Sequence, residues 1–433
     1  MKSNKLTLWI MVAMLLGVLV GYLCHALSPD AKTTAEIAGY FSIIMDVFLR
    51  LIKMIIAPLI FATLVSGMAH MSGGGAVGRI GLRAVGWFVL ASLTSLFLGM
   101  LFVNLLQPGH ALNLPLPEAS ASTNLKTSAL NLKDFITHVF PKSFVEAMAN
   151  NEILQILVFS LFFGSALSVI PDKTGHVLKR SIEELVEVML KVTDYVMRFA
   201  PVGVFAAVAG AITMQGLGVL VTYGKFIGSF YLGLLVLWLV LGTVGYLFLK
   251  GSVFRLLKLI REPTLLAFST ASSEAAYPKT MEQLEKFGVD NKITGFVLPL
   301  GYSFNLDGSM MYQAFAAIFI AQAYGIEMPF SQQLTMLLVL MVSSKGMAGV
   351  PRGSLVVVAA ILPMFNLPEA GLLLVMGIDQ FLDMGRTATN VIGNSLATAV
   401  IAKWEGSIQE PPPDVDADAL DAALLAAPAK ADT

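Results

Sequence analysis

Apolar segments long enough to cross a membrane recur along the first 250 residues of this chain. A helix needs about 20 mainly apolar residues to span the hydrocarbon core of a bilayer. The sequence predicts six such helices, which cover residues 6–27, 37–69, 84–106, 153–170, 185–212 and 217–249. Because apolar segments continue to the end of the chain, we interpret the first one as a retained span and not as a cleaved signal peptide.

Basic residues are concentrated in every second connection between these segments. The connections after the second, fourth and sixth segments carry Arg79, Arg83, Lys173, Lys179, Arg180, Lys250, Arg255, Lys258 and Arg261. In membrane proteins the cytoplasmic loops hold the excess of lysine and arginine. The pattern therefore predicts a multi-pass membrane protein with both termini in the cytoplasm.

The pattern changes after Arg261, where small and polar residues interrupt the apolar segments. The interruptions are STASSEAAYP at 269–278 and SSKGMAGVPRGS at 343–354. Backbone at membrane depth must be bonded internally or line a watery cavity, so both interruptions predict the tips of re-entrant hairpins. Each one precedes a long helical segment that contains polar residues, over 293–324 and 369–404. Paired interruptions of this kind point to the binding site of a transporter.

Composition and charge exclude several classes of function. Hydrophobic residues make up 56% of the chain and charged residues 13%, which excludes an ordinary soluble protein. The net charge of -1 offers no basic surplus for nucleic acid. The single Cys24 rules out an intrachain disulfide and a cysteine-based zinc site, and we expect no cofactor. The tail over 406–433 is predicted to be disordered because it alternates Asp with Ala and contains three consecutive prolines.

The last helical segment carries a stripe of polar residues, namely Asp379, Asp383, Arg386, Asn390 and Asn394. At about 100 degrees per residue these positions fall within roughly an 80-degree arc of one helix face. A charge at the bilayer centre costs at least about 2.5 to 3.5 kcal/mol, so such residues usually face a cavity or a partner. An isolated ion pair between Asp383 and Arg386 would leave the other three residues unexplained. We therefore predict a binding surface.

A second polar element, GYSFNLDG at 301–308, lies inside the preceding helical segment. Its glycines allow the helix to unwind, and unwound carbonyls together with Asn305 and Asp307 would supply oxygen ligands for a small cation. A polar turn that merely caps a helix would have a similar sequence. In the second span, Asp46, Arg50 and Lys53 lie at helical spacing, and we expect an ion pair on one helix face.

With these motifs in place, the chain resembles the dicarboxylate/amino acid:cation symporter family over residues 6–405. The resemblance rests on TASSEAAYP at 270–278, NLDG at 305–308, GVP at 349–351 and GIDQFLDMGRTATN at 377–390. It implies an all-α membrane protein of eight transmembrane helices and two re-entrant hairpins, built from inverted repeats. It also implies a homotrimer, a scaffold mainly within residues 1–250, and a transport domain over 251–405 that moves like an elevator.

The resemblance also implies roles for individual residues. Arg386 would bind the side-chain carboxylate of the substrate, Asp383 its amino group, and Asn390 with Thr387 its backbone end; the fork of an arginine suits a carboxylate. The implied substrate site consists of Ser272, Ser273, Ala348, Gly349, Val350, Pro351, Asp383, Arg386, Thr387 and Asn390. The implied cation or proton positions are Ser92, Glu274, Gly301, Ser303, Asn305, Asp307, Ser344, Asp379, Asn390 and Asn394.

The expected substrate is an acidic amino acid, because C4-dicarboxylate members of the family tend to replace the aspartate that stands here at Asp383. A C4-dicarboxylate carrier remains the alternative. The expected coupling ion is the proton, with sodium as the alternative. Asn394 stands where sodium-driven members have aspartate, and Phe88 and Ala91 replace a tyrosine and a threonine, so oxygen ligands for sodium are lost.

Glu274 at the serine-rich tip is a candidate proton carrier, and Gln313 takes the place of a titratable glutamate in animal relatives. A function from another class would be an intramembrane aspartyl protease that uses Asp307 and an aspartate of the last helix. Against it, Arg386 lies one turn from Asp383 and would keep that carboxylate ionised. We expect a transporter and not an enzyme.

Overall fold

The computed structural model describes residues 3–69, 74–111, 137, 139–344 and 353–409. In these ranges the regular structure is helical, apart from one isolated antiparallel bridge between Val289 and Ile408. The described α-helices, numbered in chain order, are α1 Ser3–Leu27, α2 Ala31–Ala69, α3 Gly74–Leu106, α4 Phe144–Ala149, α5 Ile153–Val169, α6 Asp172–Met197, α7 Ala200–Gln215, α8 Gly218–Thr222, α9 Gly224–Leu249, α10 Ser252–Thr270, α11 Ser273–Phe287, α12 Asn291–Phe304, α13 Asp307–Ala323, α14 Phe330–Ser343, α15 Gly353–Ile361, α16 Leu372–Met376 and α17 Asp379–Trp404.

Four of the described helices are long and apolar enough to cross a membrane, namely α1, α2, α3 and α9. They confirm four of the six predicted spans. The predicted span over 185–212 is divided between α6 and α7, whose axes differ by 51°. Pro201 lies in the first turn of α7 and has no backbone N–H to continue the ladder of α6, which accounts for the break. The bent pair counts as a fifth span if it is taken together.

The predicted tip at the first interruption is a turn between two helices. Ala271 ends α10 in the left-handed region at φ 49°, and the hydroxyl of Ser272 accepts a hydrogen bond from the backbone N–H of Ala275 to cap α11. Helices α10 and α11 pack against each other. At the second interruption, Ser343 ends α14 and Gly353 begins α15, while residues 345–352 lie outside the described part of the chain.

The two polar helical segments are both broken. The segment over 293–324 consists of α12 and α13, which are separated by Asn305 and Leu306, as the glycine-flanked polar motif predicts. The segment over 369–404 differs from the prediction of one continuous helix: a 3-10 turn at Glu369–Gly371 and the short α16 precede α17. The helix restarts after Gly377, so Asp379 lies in the first turn of α17.

Helix α17 occupies the centre of the C-terminal third. It packs against α9, α10, α11, α12, α13 and α3, and almost every side chain from Gly385 to Ala402 is buried. Helices α1, α2, α5, α6 and α7 pack mainly on one another. Gly21 of α1 allows the close approach of α7, because a Cβ there would lie 2.7 Å from the carbonyl oxygen of Ala209.

The segment that follows α17 is held against the protein. The backbone N–H of Asp290 donates to Ser407 O and that of Gln409 to Gly288 O, at 3.0 and 2.9 Å. Glu405 accepts from Arg79 and Arg83 of α3, and hydrogen bonding from Arg79 is the main reason that the pKa of Glu405 is lowered. The predicted disordered tail is therefore wrong for residues 406–409, and residues 410–433 lie outside the described range.

Candidate functional site

The charged residues of the predicted stripe meet at the start of α17. The guanidinium of Arg386 donates from Nη1 to Asp379 Oδ1 at 2.8 Å and lies 2.9 Å, through Nη2, from Asp383 Oδ1. Spacings of seven and three residues place both carboxylates on the same helix face as the arginine. The arginine side chain is 1% exposed and that of Asp379 4% exposed. A buried arginine of this kind needs such partners, because an unpaired charge in the interior is very costly.

Asp383 differs from Asp379 in its exposure. Its side chain is 30% exposed, and its Oδ1 atom accepts from Arg386 and from the hydroxyl of Thr387 at 3.3 Å. The ion pair is therefore not sealed from the surroundings of the protein. The buried carboxylate of Asp379 fixes the position of Arg386, and the partly exposed carboxylate of Asp383 can be reached by a charged solute.

The aromatic ring of Tyr312 covers the guanidinium. The Cζ atom of Arg386 lies 4.1 Å from the ring centroid, within the range of a cation–π contact. Tyr312 belongs to α13 and is fully buried. The stripe pattern gave no signal for this residue, since a tyrosine in an apolar helix is indistinguishable from a packing residue in sequence alone.

Two side chains of α9 hold the first turns of α17 in place, and neither was predicted. The hydroxyl of Tyr231 donates to the carbonyl of Phe381 at 2.5 Å, and the indole N–H of Trp238 donates to the hydroxyl of Thr389 at 2.8 Å. Gly385 lies beneath the ring of Tyr231, where a Cβ would approach ring atoms to 2.9 Å. These contacts fix the rotation of α17 and therefore the direction of its charged residues.

The break between α12 and α13 forms a second polar centre next to the stripe. The amide nitrogen of Asn305 donates to Asp307 Oδ2 at 3.1 Å and to Asn394 Oδ1 at 3.2 Å. Ser95 of α3, which sequence reasoning missed, donates to Asp307 Oδ1 at 3.4 Å. It lies one turn after Ser92, and that spacing on a buried face is the signal that could have identified it.

This centre contains buried polar atoms that lack hydrogen-bond partners. They are Ser303 Oγ, Asn305 Oδ1 and Asn394 Nδ2. Buried polar atoms are nearly always bonded, so these three atoms call for a partner such as water or an ion. In the present arrangement the amide N–H group of Asn305 lies between Asp307 Oδ2 and Asn394 Oδ1. Asp307 and the two asparagines bring side-chain oxygens together here, and the carboxylate of Asp307 is the charged one among them.

Asn390 bonds to the start of α13. Its Oδ1 accepts from the backbone N–H groups of Gly308 and Ser309 at 2.9 and 3.4 Å, and its Nδ2 donates to Ser309 Oγ at 3.2 Å. The side chain thus caps the first turn of α13, whose N–H groups have no partner within the helix. Asn390 therefore connects the stripe to the break between α12 and α13. A substrate that binds Asn390 would contact a side chain that also holds the start of α13.

The serine-rich tip makes a contact with the N-terminal helices. Glu274 lies 3.3 Å from Lys53 Nζ of α2, with side chains that are 29% and 50% exposed. The ion pair expected along α2 is not formed among its described residues; Lys53 instead contacts the tip through Glu274. The hydroxyl of Tyr302 donates to the carbonyl oxygen of Ser273 at 3.0 Å, which ties the tip to α12.

The remaining predicted residues divide between described and undescribed parts of the chain. Ser92 and Ser344 are buried, the hydroxyl of Ser344 donating to Met341 O at 3.0 Å, and the carbonyl of Gly301 accepts from Asn305 N at 2.7 Å. The predicted substrate residues of the second tip lie outside the described residues, namely Ala348, Gly349, Val350 and Pro351.

Comparison with known proteins gives a consistent result. Residues 6–404 match the model of the sodium:dicarboxylate symporter family. The chain is 39% identical over 416 residues to a proton/sodium-glutamate symport protein of Geobacillus stearothermophilus, which covers 95% of this chain and 97% of that protein. It is 38% identical to a C4-dicarboxylate transport protein of Laribacter hongkongensis, with 94% and 92% covered. Similar identity to relatives with two different substrates leaves the choice of substrate to the residues of the site.

Proposed function

Because this chain belongs to the sodium:dicarboxylate symporter family, and is thus a symporter and not an enzyme, we propose that it takes up acidic amino acids together with protons. The substrates are glutamate and aspartate. The observation that carries this proposal is the sharing of one buried guanidinium between Asp379 and the more exposed Asp383.

The charges of the cluster favour an amino acid over a dicarboxylate. One guanidinium faces two carboxylates, so the cluster has a surplus of one negative charge. A C4-dicarboxylate would add two more negative charges beside this surplus. The ammonium group of an amino acid would instead pair with Asp383, while Arg386 receives the substrate side-chain carboxylate. The residues implied to complete the site are Ser272, Ser273, Thr387, Asn390 and residues 348–351.

Proton coupling is supported by the polar centre at the break between α12 and α13. The amide N–H of Asn305 already lies between Asp307 and Asn394, and Asn394 contributes no charge to a cation. A sodium ion would have to displace this N–H, with one carboxylate fewer than the sodium-driven members supply. Glu274 is the proposed proton carrier. Protonation would neutralise the Glu274 carboxylate and break its ion pair with Lys53. Proton binding would in this way weaken the contact between α2 and the tip.

The proposed architecture is that of the family. It comprises eight spans and two re-entrant hairpins in inverted repeats, formed by α10 with α11 and by α14 with α15. The scaffold lies mainly within residues 1–250 and the elevator-type transport domain within 251–405, in a homotrimer of the bacterial inner membrane with cytoplasmic termini. The packing of α1, α2, α5, α6 and α7 mainly on one another supports such a division.

Uptake into proteoliposomes tests the proposal. Labelled L-glutamate, L-aspartate and succinate are offered with an imposed pH gradient, an imposed sodium gradient, or neither. We expect both amino acids to accumulate on the pH gradient alone and to compete with each other. Accumulation of succinate without either amino acid would favour the C4-dicarboxylate alternative, and dependence on sodium alone would overturn proton coupling.

A further inference from the structure

A cavity of about 250 Å³ lies on the side of α17 that faces away from the charged stripe. Helices α1 and α7 form one wall, and the last turn of α10 and the first turns of α17 form the other. The residues of α17 in its wall are Gln380, Phe381 and Met384. They lie at roughly 100 to 200 degrees around the helix from Asp379, whereas Asp383 and Arg386 lie within about 40 degrees of it.

The walls of this cavity are almost entirely apolar. Charged groups are absent from its described lining, and its polar members are Ser269 and Gln380. The hydroxyl of Ser269 already donates to Leu265 O at 2.6 Å, so it does not require a polar ligand. A protein cavity of about 150 Å³ with apolar walls stays dry and takes up hydrocarbons. A water molecule needs two to four polar partners, and this lining offers too few, so an apolar occupant is favoured.

The cavity borders an exposed apolar face of α1. Leu15 contributes to its wall and is 66% exposed, and its neighbours Met11 and Leu19 on α1 are 46% and 54% exposed. These side chains belong to a helix apolar and long enough to cross a membrane. In the bilayer the surrounding solvent at this face is hydrocarbon. An acyl chain entering the cavity therefore loses no hydration and gains the dispersion contacts that an empty space lacks.

We propose that this cavity is a binding site for one acyl chain of a membrane phospholipid. The chain enters beside Leu15 and contacts the rear of the two elements that carry the substrate residues. Phe268 and Ser269 directly precede the Ser272–Ser273 tip, and Phe381 and Met384 flank Asp383 on α17. An acyl chain there supports both elements from outside and so influences the affinity for substrate. The inference does not depend on which solute the site transports.

The test uses a phosphatidylglycerol with a diazirine in the middle of one acyl chain, mixed into proteoliposomes of the full chain. Light expels N₂, and the resulting carbene inserts into a nearby C–H bond, which links the lipid covalently to its neighbour. Mass spectrometry of the digested protein locates the bond. We expect adducts on Phe381, Met384 and Met14, all in the cavity wall.

A variant that fills the cavity provides the decisive comparison. Ala211→Phe projects a ring into the cavity from α7, and the adducts on Phe381 and Met384 should fall several-fold. Ala166→Phe makes the same change at an exposed position of α5 and should leave them unchanged. If Ala211→Phe is not folded, Val18→Phe fills the same space from α1. Equal labelling of α17 in filled and unfilled proteins, or labelling of Leu15 without Phe381 and Met384, would overturn the proposal.

Discussion

The two ends of α17 carry ion clusters of opposite composition. At the N-terminal end one arginine, Arg386, serves two carboxylates; at the C-terminal end one carboxylate, Glu405, serves two arginines. The surplus of the first cluster is negative and partly enclosed, because Asp379 is 4% exposed and Asp383 30%. The surplus of the second is positive.

The surplus charge of the second cluster is solvated, since the side chains of Arg79 and Arg83 are 56% and 38% exposed. Water compensates exposed charges at little cost, so this cluster needs no further partner. An enclosed negative charge without a partner is costly, so the first cluster requires a cation. The ammonium group of a substrate or a proton can take that place. An ion pair alone therefore does not identify a binding site. The net charge of the cluster and the burial of its side chains do so together.

The largest expected effect comes from Arg386→Lys. A lysine keeps the charge but cannot bridge two carboxylates with its single nitrogen. Loss of one partner from a buried, hydrogen-bonded charge pair weakens binding by about 2–5 kcal/mol, so glutamate should bind roughly 30-fold or more weakly. Glutamate binding to the purified protein measures it. Arg83→Lys at the other end of α17 is the control and should leave binding unchanged. Equal glutamate affinities of Arg386→Lys and Arg83→Lys would show that the first cluster is no more important for binding than the second.

Asp383→Ser should change which solute the site prefers. Loss of a charge-assisted bond to the ammonium group, worth about 1.5–3 kcal/mol, should lower glutamate affinity by roughly 10- to 100-fold. Removal of one negative charge should at the same time raise the affinity for succinate. Competition of glutamate and succinate for uptake gives the ratio directly. A loss of glutamate affinity with an equal loss for succinate would mean that Asp383 only positions Arg386.

Asn394→Asp should restore sodium dependence to the centre at the α12–α13 break. It adds a carboxylate beside Asn305 and Asp307, and hard cations bind more strongly as carboxylates are added. Two adjacent carboxylates without a cation repel each other, so uptake should fall in the absence of sodium and recover with it. Uptake is measured against sodium concentration at fixed pH. Asn104→Asp is the control, because Asn104 of α3 bonds to Gln333 and not to this centre. It should leave the sodium dependence of uptake unchanged.

Glu274→Gln should abolish accumulation that is driven by the pH gradient while glutamate binding persists. The matched variant Lys53→Met breaks the same contact but keeps the carboxylate. It should retain uptake on the pH gradient, because the carboxylate proposed to carry the proton is still present. The stability effect of either change is small, about 1 kcal/mol or less for so exposed a pair. Full accumulation by Glu274→Gln would eliminate Glu274 as the carrier.

Spacing alone predicted the charged part of the site. Asp379, Asp383 and Arg386 were assigned to one face from helix geometry, and the structure brings them together. The unwound position at Asn305 followed from its glycines. The partners on other helices could not be predicted in this way. Tyr312, Tyr231 and Ser95 reach the site through packing between α13, α9, α3 and α17, and their side chains look like ordinary core residues in sequence.

Breaks within apolar segments were harder to place than the segments themselves. The long apolar stretch over 185–212 masked the bend before Pro201, because hydrophobicity does not report on backbone direction. The tail over 406–409 was misjudged for another reason. Its composition is polar, but backbone hydrogen bonds to Gly288 and Asp290 hold it, and those depend on a partner distant in the chain.

The smallest effect is expected at the C-terminal cluster, for Glu405→Gln. The Glu405 side chain is only 5% exposed, but glutamine keeps an acceptor oxygen for its exposed arginine partners, so the change should cost about 1 kcal/mol and lower the melting temperature by a few degrees. The pKa of Glu405 lies below its ordinary value of 4.5, mainly through the hydrogen bond from Arg79. The stabilisation is therefore complete above that value and is lost as the pH falls through the lowered pKa.

The melting temperatures of the wild type and Glu405→Gln should accordingly differ at neutral pH and converge in acid. Glu184→Gln, in the exposed pair with Arg180, is the matched control and should show a smaller difference at neutral pH. Uptake of glutamate by Glu405→Gln should equal that of the wild type, because this cluster has no enclosed surplus to offer a solute. A difference that widens in acid, or a loss of uptake with unchanged melting, would remove the distinction between the two ends of α17.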